Sequence, residues 1–185
     1  MNKTSLKNYR TDASFSFFNR FMRLIWQIVC WTLFKPSPNC MHAFRAFILR
    51  LFGASLGKNC HIYPLSKIWA PWNLQCQDNV CIANHAVIYN QALVFIGSQS
   101  TISQEAYICT GTHDYTQKNF PLLTKPVYIE EHVWVGARAF ILPGVTLKQG
   151  AVAGACSLIS KNLEPWTVYQ GNPCKAIRTY ELKAL

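Results

Sequence analysis

The chain has 185 residues, half of them hydrophobic, which suits one domain with a packed core and excludes an intrinsically disordered protein. Its net charge of +10 is uneven, because residues 1–58 hold nine Lys and Arg and one acid, whereas the remaining 127 residues hold nine bases and seven acids. The basic character therefore belongs to the N-terminal region, which argues against a nucleic-acid groove spread over the fold.

The segment Phe15–Phe34 is predicted to be a helix that is apolar nearly all round, with a narrow polar stripe at Arg20, Arg23 and Gln27. Its uncharged run, Leu24–Phe34, has eleven residues, whereas a membrane span needs about 20. We therefore predict no transmembrane helix. The N-terminus also lacks the order of segments that marks a cleavable signal.

The prolines in Lys35–Pro38 end this helix. A second helix is predicted over His42–Phe52. Its apolar face is expected to leave out Arg45 and Arg50 and to consist of Phe44, Phe47, Ile48 and Leu51.

Two compatible interpretations of these helices are open. In the first, they pack on the end of the fold or on a neighbouring subunit. In the second, they lie in a membrane interface with their cations toward the lipid headgroups. The charge of the region favours membrane contact through residues 15–52, as do four aromatic residues of an exposed type: Phe17, Phe18, Trp26 and Trp31.

Farther along the chain, one set of apolar residues recurs every six positions: Ile129, Val135, Ile141, Leu147, Ala153 and Ile159. A period of six fits neither a helix nor a single strand, but it fits a solenoid in which each unit is one short strand and a turn. The pattern begins near Leu56. It predicts a basic aromatic helical region over 1–55, a β-helix over 56–164, and an exit and tail over 165–185.

The repeat is interrupted once by a long insertion. After Ile108 the next residue in phase is Ile129, a step of 21, so fifteen residues have been added to one unit. They form the polar segment 111–125. Because long loops that leave a regular scaffold often carry function, we expect the site here.

The eight cysteines include no CxxC pair, and several replace apolar residues of the repeat. This usage is typical of buried free thiols in a reducing cytosol. The expected location is therefore cytoplasmic, with peripheral attachment to the inner face of the membrane.

The repeat VYIEEHVWVGARAFILPGVTLKQGAVAGACSLISKNL and its exit PWTVYQGNPCKAI resemble those of hexapeptide-repeat acyltransferases, within the branch of maltose, galactoside and nodulation sugar O-acetyltransferases. The segments KIWAPWNL, VIYN and ICTGTHDYTQKNFPLLTKPVYI, with the basic aromatic N-terminus, are similar to those of colanic acid and related exopolysaccharide biosynthesis acetyltransferases. The resemblance covers nearly the whole chain after residue 15.

The resemblance implies a left-handed parallel β-helix with three hexapeptides per coil, and a homotrimer with active sites between neighbouring subunits. It also implies O-acetyl transfer from acetyl-CoA to a sugar hydroxyl of an exopolysaccharide precursor or a lipid-linked oligosaccharide. No metal is expected. The alternatives are a zinc enzyme on the same solenoid, a non-catalytic trimeric scaffold at a membrane, and an acyltransferase with another donor or an amine acceptor.

Acetyl transfer requires a base for the attacking hydroxyl, and a neutral imidazole suits this task at cytosolic pH. His113, in the inserted loop, matches the catalytic histidine of the family. The base also needs its other ring nitrogen held, and three candidates are open: the adjacent Asp114, Glu105, or a backbone carbonyl.

The resemblance also assigns residues to the two substrates. Those predicted to bind the coenzyme are Trp134, Ala155, Ser160, Lys161 and Arg178. Those predicted on the acceptor side are Tyr89 and Asn90. Trp134 has a plainer interpretation as an outward aromatic residue of a strand in a trimer interface, and Lys161 and Arg178 have one as ordinary solvated cations.

Overall fold

The computed structural model describes residues 15–182 and shows a left-handed parallel β-helix of about six turns, preceded by helices. This confirms the solenoid predicted from the six-residue period and the left-handed β-helix that the resemblance implies. The first 14 residues of the predicted N-terminal region and the last three of the tail lie outside the described residues.

The solenoid has three faces, each a sheet whose strands come from successive coils and are parallel, except for the last strand of sheet B. Sheet A consists of β1 (Ser55–Leu56), β4 (Leu74–Cys76), β7 (Val94–Ile96), β12 (Val127–Ile129) and β15 (Thr146–Leu147). Sheet B consists of β2 (His61–Ile62), β5 (Cys81–Ile82), β8 (Thr101–Ile102), β13 (Trp134–Val135), β16 (Val152–Ala153), β18 (Thr167–Gln170) and β19 (Lys175–Thr179). Sheet C consists of β3 (Lys67–Ile68), β6 (Val87–Tyr89), β9 (Tyr107–Cys109), β14 (Phe140–Ile141) and β17 (Leu158–Ile159). A short 3₁₀ turn, Pro71–Asn73, precedes β4.

The inward residue of each unit forms the core. Isoleucine fills this place in most coils and is fully buried at positions 62, 82, 88, 96, 102, 108, 129, 141 and 159. Burying one such side chain contributes about 1.5–3 kcal/mol. The repeated isoleucines therefore hold the coils in register.

The corners of the prism depend on a left-handed backbone residue two positions before a strand. At ten corners this residue has a positive φ: Asn59, Asn79, His85, Gln99, Glu105, His132, Arg138, Gly144, Gly150 and Cys156. Two of the ten are glycines, so side chains of several kinds accept this conformation here.

Helix α1 spans Phe17–Val29 and continues as a π-helix over Cys30–Phe34. Trp26 was predicted to be exposed, but it is buried, and its indole N–H donates to the carbonyl of Ile68 at 2.7 Å. The helix therefore packs against β3, the first strand of sheet C. Within residues 15–182 no helix has both the length and the hydropathy needed to cross a membrane.

Helix α2 spans His42–Leu51, and its buried face differs from the predicted one. Arg45 is fully buried, whereas Phe47 and Leu51 are exposed. The guanidinium donates to the carbonyls of Ile62, Pro38 and Asn39 and to the hydroxyl of Ser37, at 2.6–2.8 Å. These acceptors offset the desolvation of the buried charge, so the arginine lies inside and ties α2 to the first coil.

The sheets continue past residue 164, the predicted end of the β-helix. Strand β18 pairs in parallel with β16, and β19 then returns antiparallel to β18. The C-terminal segment therefore covers the last coil. All eight cysteines are free thiols.

Candidate active site

The insertion leaves the solenoid at the corner between sheets C and A and forms a hairpin. Its strands are β10 (Gly111–His113) and β11 (Leu122–Thr124). The amide of Lys125 donates to the carbonyl of Thr110 at 2.8 Å and closes the base of the hairpin. The coil thus resumes directly after the excursion, and the hairpin projects from a fixed base.

His113 is the last residue of β10 and is exposed. Its Nδ1 lies 2.6 Å from the carbonyl oxygen of Phe120, on the other side of the hairpin turn. A carbonyl can only accept, so in the neutral ring Nδ1 carries the proton and Nε2 is left as the acceptor. The ring therefore has the tautomer and orientation that a general base requires.

The carbonyl of Phe120 is therefore the group that holds Nδ1 of His113, a role for which the sequence left three candidates open. Asp114 turns away from the ring, because its carboxylate accepts from the amide and hydroxyl of Thr116 and from the side-chain amide of Gln117 at 2.6–3.0 Å. These donors hold the pKa of Asp114 below its ordinary value, so it is charged at neutral pH. Its contacts organise the turn.

Glu105 is engaged elsewhere. Its carboxylate accepts a 2.6 Å hydrogen bond from the guanidinium of Arg138, which lowers the pKa of the carboxyl. A backbone carbonyl was among the alternatives, but no side-chain pattern could have identified Phe120 as its source.

A shallow groove of about 210 Å³ lies at the corner between sheets B and C and brings Trp134 and Ala155 together. Trp134 is 54% exposed, and its indole N–H donates to the hydroxyl of Ser103 at 2.9 Å. Gly136 allows the two coils to approach closely here, because a Cβ there would lie 2.7 Å from the amide nitrogen of Ala155 in the next coil. The groove therefore offers an aromatic side chain beside accessible backbone.

Arg178 lies on the same sheet as Trp134. The register runs from Trp134 through Val152 and Val168 to Arg178, one residue per strand. Three strand spacings place the backbones of Trp134 and Arg178 about 14 Å apart. Both side chains are exposed, so the outer face of sheet B carries an aromatic ring and a cation in line.

Ser160 and Lys161 are exposed and follow β17, so they lie at the corner between sheets C and A. This is the corner from which the His113 hairpin emerges, two coils earlier. The predicted coenzyme residues are thus divided: Trp134, Ala155 and Arg178 lie on sheet B and its corner with sheet C, whereas Ser160 and Lys161 lie across sheet C from them.

The two predicted acceptor residues have different surroundings. Tyr89 is half-buried on the outer face of sheet C, and its ring lies 5.8 Å from that of Trp69. Asn90 is fully buried, and its amide exchanges two hydrogen bonds with the backbone of Ala70, at 2.7 and 3.0 Å. The side chain of Asn90 therefore lies in the interior of the protein, where an acceptor sugar cannot contact it.

Gln91 is a residue near the site that sequence reasoning missed. Its side-chain amide donates to the hydroxyl of Tyr89 at 2.9 Å, and its Oε1 is buried without a hydrogen-bond donor among the described residues. A Cβ at Gly111 would collide with this oxygen. The sequence carried one signal of this contact, Gly111 at the start of β10, because glycine is needed where a side chain approaches the backbone this closely.

Among residues 15–182, no three His, Cys, Asp or Glu side chains converge in the manner of metal ligands.

No family model matches the chain. The chain is 38% identical over 173 residues to the "Putative colanic acid biosynthesis acetyltransferase WcaF" of Escherichia coli, covering 94% of this chain and 95% of that protein. A maltose O-acetyltransferase from Clostridium difficile has a similar structure, with a TM-score of 0.81, 26% identity and coverage of 90% of both chains. A hexapeptide-repeat acetyltransferase of Vibrio cholerae, solved with acetyl coenzyme A, has a TM-score of 0.80, 24% identity, and coverage of 91% of this chain and 92% of its own.

Proposed function

The chain belongs to the hexapeptide-repeat acetyltransferases and is an acyltransferase; on that premise we propose that it transfers the acetyl group of acetyl-CoA to a sugar hydroxyl, with His113 as the general base. One observation carries the proposal: Nδ1 of His113 is held by the carbonyl of Phe120, which leaves Nε2 free on an exposed hairpin. The acetyl-CoA complex of the Vibrio cholerae protein supports the choice of donor.

In the proposed reaction, Nε2 of His113 takes the proton of the sugar hydroxyl as its oxygen attacks the thioester carbonyl. The C–O bond forms and the carbonyl becomes an oxyanion. Collapse of this intermediate breaks the C–S bond, and the departing thiolate takes the proton from the imidazolium. Acetyl transfer is direct, and no covalent enzyme intermediate forms.

Asp114 serves this reaction as a positioning residue. Its bonds to Thr116 and Gln117 shape the turn that leads to Phe120, and the amide of Phe120 donates to the carbonyl of Gln117 at 3.1 Å. The carboxylate thus acts on the ring through the loop.

We assign the coenzyme to the surface that runs from the groove at the corner between sheets B and C toward the C-terminal strands. Trp134 and Ala155 would contact its pantetheine arm, and Arg178 would contact the nucleotide end. Ser160 and Lys161, at the corner between sheets C and A, lie outside this surface. Cations suit phosphate, and arginine binds it with paired N–H donors.

The assembly is proposed to be a homotrimer whose sites lie between subunits. His113 is exposed on a projecting hairpin, so one chain leaves the attacking hydroxyl open to water. A neighbouring subunit would supply the opposite wall and protect the thioester from hydrolysis.

The acceptor is proposed to be an exopolysaccharide precursor or a lipid-linked oligosaccharide, in line with the name of the Escherichia coli relative. Apolar side chains exposed along α1 and its π-helical end support a position on the inner face of the cytoplasmic membrane. They are Phe17, Phe18, Phe21, Leu24, Ile28 and Trp31. Residues 15–58 contain six Lys and Arg and no acid, which favours anionic lipid.

The proposed function is tested with acetyl-CoA and a panel of nucleotide sugars, lipid-linked oligosaccharides and amino sugars. Transfer is followed by release of the coenzyme thiol and by product mass. An increase of 42 Da on a compound without a free amine supports O-acetylation. Modification of amines alone would contradict it.

A further inference from the structure

A second groove, which we call the helix groove, lies between α1 with its π-helical end and the outer face of sheet C. It has a volume of about 310 Å³. Its lining is mainly aromatic and aliphatic and includes Trp26, Trp31, Trp69, Val87, Ile88 and Tyr89. A groove of this composition suits an apolar chain.

Three cations line the same groove: Arg23, Lys35 and Lys67. The guanidinium of Arg23 lies 4.5 Å from the ring centre of Trp69, and the ammonium of Lys35 lies 3.5 Å from that of Trp31. Neither of the two ion pairs found within residues 15–182 involves these cations. An anionic group at the rim would therefore meet positive charges that no carboxylate of the described residues neutralises.

The helix groove leads toward the hairpin that carries His113. Tyr89 lines the groove, and its hydroxyl accepts from the side chain of Gln91 at 2.9 Å. Gln91 in turn lies against Gly111, the first residue of β10. His113 is two residues farther along this strand, about 7 Å away.

We propose that the helix groove binds the lipid end of the acceptor: an apolar chain that ends in phosphate. This inference rests on the proposed function, because it places the sugar beyond the phosphate, toward His113. Charge complementarity favours this occupant over the same groove of a second copy, since two such faces would bring six cations together.

The probes are decyl phosphate, decanol and inorganic phosphate, titrated into the full-length protein by calorimetry below the concentration at which decyl phosphate aggregates. We expect decyl phosphate to bind at least tenfold more tightly than decanol or inorganic phosphate. Equal binding of decanol would overturn the role of the cations, and no binding of decyl phosphate would overturn the proposal.

Two matched pairs of variants test the location. Lys67→Glu should weaken decyl phosphate binding about tenfold, in the range of a lost charge-assisted bond, whereas Lys58→Glu, an equal charge change outside the groove, should not. Trp31→Ala should weaken it more than Leu33→Ala, whose exposed side chain lies outside the lining. Equal effects within either pair would overturn the assignment to this groove.

Acetyl transfer by the wild-type protein is measured in parallel with a soluble sugar from the acceptor panel. If acetyl transfer is observed but decyl phosphate does not bind, the helix groove is not a lipid-binding site, and the proposed function stands. If decyl phosphate binds but no sugar is acetylated, the proposed function is contradicted instead. Light scattering during the titration identifies the third case, in which a second copy fills the groove and decyl phosphate does not bind.

Discussion

The Nδ1 nitrogen of His113 lies 2.6 Å from the carbonyl oxygen of Phe120. Phe120 has a left-handed backbone, with φ of 45°. Its amide donates to the carbonyl of Gln117, so the turn fixes the direction in which its own carbonyl points. The hairpin thus determines the tautomer of the histidine through its backbone.

The first prediction concerns His113→Gln. Glutamine can still donate to the carbonyl of Phe120 but is not a base, so kcat should fall by about 10²–10⁴ with the fold retained. The measurement is thiol release from acetyl-CoA with the best acceptor. His132→Asn is the matched control, because asparagine accepts the positive φ of that corner, and its rate should stay near wild type. Wild-type turnover by His113→Gln would remove this residue as the base.

Asp114 gives the second prediction. Asp114→Asn keeps an oxygen acceptor for Thr116 and should retain most of the activity, whereas Asp114→Ala frees the turn and should lower kcat by up to about 10² through misplacement of the ring. Equal losses in both variants would indicate a role for the charge itself.

The same carboxylate has a pH signature. Its pKa is lowered in the folded protein, so its stabilising contribution is present above the unfolded pKa of about 4 and is lost as the pH falls through the lowered folded value. The difference in Tm between wild type and Asp114→Ala should therefore shrink below about pH 4. An unchanged difference in acid would contradict this origin.

The fold could be predicted from the sequence because a period of six excludes the two simpler periodicities, and isoleucine marks the inward position in coil after coil. Arg45 could not be placed, because its burial depends on carbonyls of Pro38, Asn39 and Ile62 that the fold brings together. The carbonyl of Phe120 could not be found for the same reason. Sequence patterns report side-chain polarity, whereas these partners are backbone atoms.

Asn90 gives the third prediction, on stability. Asn90→Ala leaves the buried N–H of Ala70 without a partner, at a cost of about 1–3 kcal/mol, whereas the C=O of Ala70 keeps its bond from the amide of Asn73. Asn162→Ala removes one exposed bond to the amide of Thr146 and should cost much less. Chemical denaturation measures both. A variant at position 90 with normal stability and a raised acceptor KM would restore Asn90 to the acceptor side.

Membrane contact gives the fourth prediction. Phe17 and Phe18 are 83% and 71% exposed, and burying a phenylalanine side chain contributes about 1.5–3 kcal/mol. Replacing both with Ser should therefore reduce sedimentation with anionic vesicles at least tenfold. Binding to neutral vesicles should be weak, and binding to anionic ones should fall as salt rises. Equal sedimentation with both vesicle types would contradict the role assigned to the basic region.

The fifth prediction concerns Arg178, the exposed cation on β19 of sheet B. If Arg178 binds a coenzyme phosphate, Arg178→Gln removes a charge-assisted bond of about 1.5–3 kcal/mol, and the Kd for coenzyme A should rise at least tenfold. Pantetheine lacks the phosphates, so its weaker binding should not change, whereas Trp134→Ala should weaken both ligands. Calorimetry measures each Kd, with Arg20→Gln on α1 as the control for net charge. Loss of pantetheine binding in Arg178→Gln would show that the substitution distorts β19 and its neighbours, and phosphate recognition would then need another residue.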